Sequence, residues 1–161
     1  MMEEKKFVRE ELNIEGARII FRNFAGAASE FNKAGDRNIS IMLEEEHAIP
    51  LTAIGWNIKQ LSSRDEAEPQ RYHLPVTISY KLFPPEVWLV TSSRKTLLTE
   101  DTVGILDNAE ITDADVVIRP YNWEVNGKSG VKAYLKTAYI TIREDRFASK
   151  YSSVPSNVSG D

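Results

Sequence analysis

The stretch VVIRPYNWEVNGKSGVKAYLKTAYITI, residues 116–142, decides the fold. Apolar and polar side chains alternate on both sides of Asn126-Gly127, and this dipeptide between alternating runs is the strongest short-range signal for a two-residue hairpin turn. The pattern predicts two long antiparallel strands, 116–125 and 131–142. A two-residue turn pairs Val125 with Lys128, and this pairing fixes the register of the whole hairpin.

The predicted register gives the hairpin two different faces. One face is apolar and seals a core, and it carries Val116, Ile118, Ala133 and Leu135. The other interleaves three aromatic residues with three cations, namely Arg119, Tyr121, Trp123, Lys132, Tyr134 and Lys136. Aromatic rings stack on bases while cations contact phosphates, so this face is suited to single-stranded nucleic acid of any sequence. Cross-strand aromatic–cation pairs also stabilise a plain solvated sheet, which is the structural alternative.

The rest of the chain reads as short strands separated by turns. Strands are predicted at 17–24, 37–43, 56–61, 72–80 and 86–91, with helical turns at 44–54 and within 95–111. There is no alternation of strands with helices, so the fold class is mainly β, an antiparallel barrel or sandwich with one or two short helices. Trp56 and Trp88 lie in apolar strands and are predicted to be core residues.

Weaker basic and aromatic candidates lie outside the hairpin. Alternation along 17–24 puts Arg18, Arg22 and Phe24 on one strand face, where they extend the hairpin surface. Arg37 joins them from the next strand. Lys81 and Phe83 lie in a loop beside Pro84-Pro85.

Composition and charge narrow the classes of function. The 161 residues contain no cysteine, which excludes disulfides, thiolate metal sites and a cysteine nucleophile. Neither a membrane-spanning run nor a signal peptide is recognisable, so we expect a cytoplasmic protein without membrane contact. The net charge is −4, yet residues 117–143 hold five Lys and Arg against one Glu. A local basic stripe on an acidic protein is compatible with a polyanionic ligand.

No catalytic motif is recognisable, so we expect no enzyme, no cofactor and no metal. His47 and His73 have no metal-ligating partners at useful spacing. Phosphate loops, dinucleotide fingerprints and nucleophile elbows are absent from the sequence. A hydrolase using Glu44 and His47 is the remote alternative.

The quoted block, and Gly130-Val-Lys-Ala-Tyr-Leu135 within it, resembles the closing hairpin of bacteriophage-type single-stranded DNA-binding proteins with an OB fold. Residues 15–24 resemble their first strand. The resemblance implies an OB-type barrel over residues 16–150, preceded by an arm or short helix at 1–15 and followed by a disordered tail at 151–161. It also implies a role in phage DNA replication or recombination, partners from that machinery, and a homodimer. The binding groove that it implies contains Arg18, Arg22, Arg119, Tyr121, Trp123, Lys132, Tyr134 and Lys136.

One departure and two alternatives accompany this resemblance. Many such proteins end in an acidic tail with a terminal aromatic residue that recruits partners, whereas residues 152–161 hold one acid and no aromatic residue. A protein-interaction or structural module of a phage would use the same β surface without salt-sensitive DNA affinity. A carbohydrate-binding barrel would also use aromatic rings, but the neighbouring cations favour a nucleic acid.

Overall fold

The computed structural model describes residues 7–61 and 70–144, which form nine strands, one α-helix and one 3-10 helix. In chain order these elements are β1 (Leu12–Ile14), β2 (Ile19–Asn23), β3 (Arg37–Leu43), α1 (Glu45–Ala53), β4 (Lys59–Leu61), β5 (Arg71–Ile78), β6 (Glu86–Val90), β7 (Lys95–Leu98), the 3-10 helix (Val103–Asp107), β8 (Ile111–Val125) and β9 (Lys128–Ile142). Two 15-residue strands, β8 and β9, dominate the molecule. The sequence predicted both, at 116–125 and 131–142, and the structure begins each of them earlier, at Ile111 and Lys128.

The strands form one curled sheet in the order β1-β8-β9-β5-β3-β2. Its hydrogen-bonded path does not close, but its end strands are consecutive in the chain. The linker between β1 and β2 forms hydrogen bonds to the strands beside both of them. The Ala17 amide donates to the Ala114 carbonyl of β8 (2.7 Å), and the Met42 amide of β3 donates to the Arg18 carbonyl (2.9 Å). With β1 and β2 counted as two halves of one strand, the path has the five strands of an OB-type, partly open barrel, so the predicted fold is confirmed. β4 and the β6–β7 hairpin are additions to it.

The sheet is mixed, whereas the sequence predicted antiparallel pairing throughout. Strand β9 runs parallel to β5 at Val76–Ala133 and parallel to β6 from Glu86 to Val90. Partner strands of this kind are distant in sequence, and no turn signal marks them. Periodicity shows which side of a strand is buried but does not show its neighbour.

The core lies inside the curled sheet. The four residues of the predicted apolar hairpin face are all buried, at 2% exposure or less. They pack with inward residues of β3 and β5 such as Ile39, Ile41, Leu74 and Val76. Trp56 joins this core as predicted and is 3% exposed.

The N-terminal region differs from the expected arm or short helix. Residues 12–14 form β1, which pairs with β8, because Leu12 and Ile14 pack against the core. A three-residue strand is too short to leave a period in the sequence. Residues 1–6 and 145–161, including the expected tail, lie outside the described residues, and the domain boundaries stay a prediction.

Two further differences concern β6 and β7. Trp88, predicted as core, lies on the outer face of β6, where its ring is parallel to that of Tyr139 on β9. The stretch 95–111, expected to contain one or two helical turns, holds β7 as well as the 3-10 helix. By contrast, α1 occurs where it was predicted, and Gly55, at a φ of 112°, ends it.

Candidate nucleic-acid interface

The β8–β9 hairpin has the register predicted from its turn. Asn126 and Gly127 both adopt positive φ (52° and 80°), as a type I′ turn requires. Tyr121 therefore faces Lys132, and Arg119 faces Tyr134. The register shifts by one residue between Val117 and Ile118, beyond the aromatic part of the face. The structure thus brings the six predicted hairpin residues to the outer side of the barrel.

Three aromatic rings form a cluster on this outer side. The ring centroids of Tyr121 and Tyr134 lie 5.8 Å apart, and both rings contact Phe83, with centroids at 6.2 and 5.0 Å. Edge-to-face and tilted geometries such as these stabilise aromatic clusters. Tyr134 is only 5% exposed, whereas Tyr121 is 46% exposed. Tyr134 and Phe83 therefore support the cluster, and Tyr121 presents a ring to solvent.

Cations accompany these rings. The guanidinium of Arg119 lies 5.0 Å from the Phe83 ring centroid, and Nζ of Lys132 lies 5.2 Å from that of Tyr134. Both distances permit cation–π attraction. Lys136 differs from them, because its Nζ is 2.7 Å from Oε2 of Glu11. Of the three cations on the predicted face, Arg119 and Lys132 are thus the two without a carboxylate partner among the ion pairs of residues 7–61 and 70–144.

Trp123 lies across its cross-strand partner Gly130. A Cβ at position 130 would come within 2.9–3.1 Å of three indole atoms, so the glycine is needed for the indole to lie against the backbone. The indole is fixed on this side, and 37% of the residue remains exposed. Trp123 thus presents a second supported ring near the hairpin tip.

A groove of about 600 Å³ connects Lys132 of this face to the β2–β3 loop. Its walls are the start of β3, the end of β5 and the beginning of the following loop, including Asn38, Thr77 and Lys81. In OB folds, extended oligonucleotides bind across this region, between the loop after the first strand and the loop of the closing hairpin. Lys81 and Phe83, weaker candidates in the sequence, thus belong to the same surface as the hairpin.

Arg37 lies in this groove, but its charge is paired. Its Nη1 is 3.2 Å from Oε2 of Glu100, and its guanidinium lies 5.5 Å from the Tyr80 ring centroid. Burial raises the pKa of the Tyr80 hydroxyl above its usual value, and the Arg37 charge acts in the opposite direction. Arg37 therefore stabilises the groove wall, and only part of its charge is available to a ligand.

The β2–β3 loop presents a phenylalanine that sequence analysis missed. Phe31 is 93% exposed. The side-chain Nδ2 of Asn32 lies 2.9–3.1 Å from the carbonyl oxygens of Ala27, Lys33 and Asp36, among which its two N–H donors are shared, and these bonds hold the loop in one shape. An almost fully exposed ring on an internally bonded loop contributes little to folding, so the Phe31 ring is free to contact a ligand.

Two predicted residues in and next to β2, Phe24 and Arg22, are not part of this surface. Phe24 is fully buried, which corrects its assignment to the binding face. Phe21 adopts a φ of 51° at a bulge between Ile20 and Asn23, and the extra residue turns Phe24 inward. Arg22 donates through Nη1 to the carbonyls of Leu106 and Ala109 (2.8 and 2.6 Å), so its guanidinium is bound to the fold.

Arg18 is exposed but lies elsewhere. It shares a depression with Glu44, Glu45 and Glu46 at the start of α1, which follows the far end of β3. Neighbouring carboxylates repel phosphate, so this position does not favour contact with a nucleic acid.

Two other kinds of site are absent from the described residues. Within the described ranges, no three His, Asp or Glu side chains converge as a metal-binding group. No helix found there is long and apolar enough to cross a membrane.

The strand order defines an OB fold, and a groove lies beside its closing hairpin. A family profile described as "Putative phage ssDNA-binding domain" matches residues 1–160, and the chain belongs to this family. The fold is similar to that of the single-stranded DNA-binding protein from bacteriophage Enc34. The structure of that protein in complex with ssDNA is 13% identical, with a TM-score of 0.50 over 85% of this chain and 89% of that chain. Another Enc34 structure is 11% identical, with a TM-score of 0.53 over 92% and 88%. No curated protein matches the sequence.

Proposed function

We propose that this protein binds single-stranded DNA without sequence preference, along the outer face of the β8–β9 hairpin and the adjoining groove. Family membership supports the ligand, and the carrying observation is the pair of supported, solvent-facing rings, Tyr121 and Trp123. Every base has a π-face, so stacking on these rings favours no particular sequence.

The support beneath each ring lowers the cost of binding. Tyr134 and Phe83 hold Tyr121 from one side, and the backbone at Gly130 holds Trp123. An immobilised side chain loses less conformational entropy when a ligand stacks on it, so more of the stacking energy appears as affinity.

Phosphates are contacted by cations that line the same surface. Lys81 and Lys132 line the groove, and Arg119 lies over Phe83 beside it. Each phosphate neutralised by such a cation releases condensed counterions, which makes the affinity dependent on salt. At the other end of the groove, Phe31 supplies a further ring.

The proposed role is to cover and protect single strands during phage DNA replication or recombination, in the host cytoplasm and without catalysis by this chain. Replication or recombination proteins and a second copy of the chain are the proposed partners. Light scattering coupled to gel filtration, with and without oligo-dT, measures whether a homodimer forms.

The test is fluorescence anisotropy of labelled oligo-dT with the wild type and a Tyr121→Ala/Trp123→Ala variant. Removal of two stacking contacts, at about 1–3 kcal/mol each, should weaken binding at least about 30-fold. Ile49→Ala is the matched control, since Ile49 is 53% exposed on α1, away from the groove, and its loss should leave the affinity unchanged. Mixed-sequence oligonucleotides should bind within a few-fold of oligo-dT.

Two results would count against the proposal. Binding that survives the double substitution would move the site off the hairpin. A wild type that fails to bind at low salt would favour the alternative, a protein-interaction or structural module that uses the same β surface.

A further inference from the structure

A second aromatic and basic surface lies outside the groove, on the added β6–β7 hairpin. Trp88 of β6 and Tyr139 of β9 face each other in the parallel pairing. Their ring planes are within 7° of parallel and their centroids are 6.4 Å apart, an offset arrangement. Nζ of Lys95, on β7, lies 4.5 Å from the Trp88 centroid and 5.5 Å from that of Tyr139.

This surface is solvent-facing. Tyr139 is 40% exposed and Leu97, the β7 residue that pairs with Trp88, is 47% exposed. Two carboxylates lie near these rings and keep their charge: Glu86 accepts from the Trp88 indole N–H (3.3 Å) and Asp115, opposite Tyr139, accepts from the Gly16 amide (3.0 Å). Lys95 is therefore the group at the rings that a phosphate would contact. The combination of parallel rings and an overlying cation is the one that binds a base and its phosphate.

The second surface continues the first along one strand. Tyr134 and Tyr139 both lie on the outer side of β9 although they are five residues apart, because the register shift opposite Val117 and Ile118 reverses the alternation between them. Their separation is about 17 Å along a strand. The loop of Phe83 contacts Tyr134 and leads through Pro84 and Pro85 into β6, which pairs with β9 at Tyr139. A strand leaving the Tyr121 and Phe83 cluster therefore meets Trp88 and Tyr139 next.

We infer that Trp88, Tyr139 and Lys95 form a second stacking station for the same DNA strand, used only by ligands long enough to extend beyond the groove. The inference rests on the proposed function, which supplies the strand. It makes the β6–β7 addition a device that lengthens the binding site.

The test compares a short oligo-dT of about 8 nucleotides with one of about 20, within and beyond the range of a single OB fold. A Trp88→Ala/Tyr139→Ala variant should lose at least about fivefold in affinity for the long ligand and nothing for the short one. Trp88→Phe/Tyr139→Phe keeps both rings and should bind as the wild type does. The stoichiometry is fixed at one protein per oligonucleotide, so that lattice statistics do not imitate a longer site.

Two further measurements cover a variant that fails to fold. Lys95→Ala removes an exposed side chain and should weaken only long-ligand binding. In a Trp123→Phe background the two remaining tryptophans are Trp56, which is buried, and Trp88. Fluorescence quenching by the long ligand and not by the short one then reports contact at Trp88.

The outcomes are distinguishable. Unchanged long-ligand affinity in both the double variant and Lys95→Ala, with normal short-ligand binding, overturns the second station and leaves the groove intact. Failure of the wild type to bind either ligand overturns the proposed function and the station with it.

Discussion

Replacement of Lys132 by alanine should change how binding depends on salt, and the size of the change follows from the groove. Three cations, Lys81, Arg119 and Lys132, line the proposed path without an ion-paired carboxylate among the described residues. For single strands, each phosphate contact contributes about −0.7 to the slope of log K against log salt, so the wild type should have a slope of about −2. Between 50 and 200 mM salt, this slope predicts about a 20-fold loss of affinity.

Lys132→Ala should lower the slope to about −1.4, and the loss over the same salt range to about sevenfold. Tyr121→Ala should behave differently, because it removes a stacking contact and no charge. Its affinity should fall about 5- to 150-fold at every salt concentration, with an unchanged slope. Lys59→Ala is the charge-matched control, since Lys59 lies on β4, away from the groove, and its slope should equal that of the wild type.

Anisotropy titrations at four or more salt concentrations measure these slopes. A wild-type slope near zero would refute phosphate contacts along this path. A Lys132→Ala slope equal to that of the wild type would remove Lys132 from the interface, whatever its effect on affinity.

Four further predictions follow from individual contacts. Phe31→Ala should weaken oligo-dT binding at least about fivefold without lowering the unfolding midpoint, because a ring that is 93% exposed contributes little to folding. Gly130→Ala should displace the Trp123 indole, shift its fluorescence and weaken binding with no change in salt slope. Asp107→Ala should destabilise the protein by about 1.5–3 kcal/mol in urea unfolding, because the carboxylate accepts two backbone amides at the start of the β2–β3 loop; a smaller loss in Asp107→Asn is the check. Burial, and secondarily the charge of Lys59, lowers the pKa of His73, so the unfolded chain binds this proton more readily than the folded protein does. The free energy of unfolding should therefore fall as the pH falls below about 6.5. His73→Gln should flatten this part of the profile of urea midpoint against pH, and an unflattened profile would assign the acid sensitivity to other groups.

The sequence could predict the hairpin because its determinants are local. Asn126-Gly127 specifies the turn, the turn specifies the register, and the register assigns every side chain to a face. The alternation of side chains between the two faces of a strand gave the wrong face for Phe24, because one bulged residue at Phe21 reverses the alternation that follows it. Nothing in the residue types of that strand marks the bulge.

Contacts between distant segments were beyond sequence reasoning. Phe83 joins the aromatic cluster only because the parallel pairing of β5 and β6 with β9 carries the intervening loop over Tyr134. Trp88 was expected in the core since its neighbours are apolar, yet the outer face of β6 offers it a parallel ring on β9. The exposed fraction of a ring separates a binding residue from a core residue, and it depends on strand pairings that a single sequence does not reveal.

Burial divides the predicted aromatic face into two roles. Tyr134 cannot stack on a base while it is 5% exposed, but its edge and that of Phe83 hold Tyr121 in place. Tyr134→Phe should therefore bind DNA as the wild type does, whereas Tyr134→Ala should weaken binding by freeing Tyr121, even though no contact with DNA is lost. A loss of affinity in Tyr134→Phe equal to that in Tyr134→Ala would mean that the Tyr134 hydroxyl reaches the strand, and that the cluster opens when DNA binds.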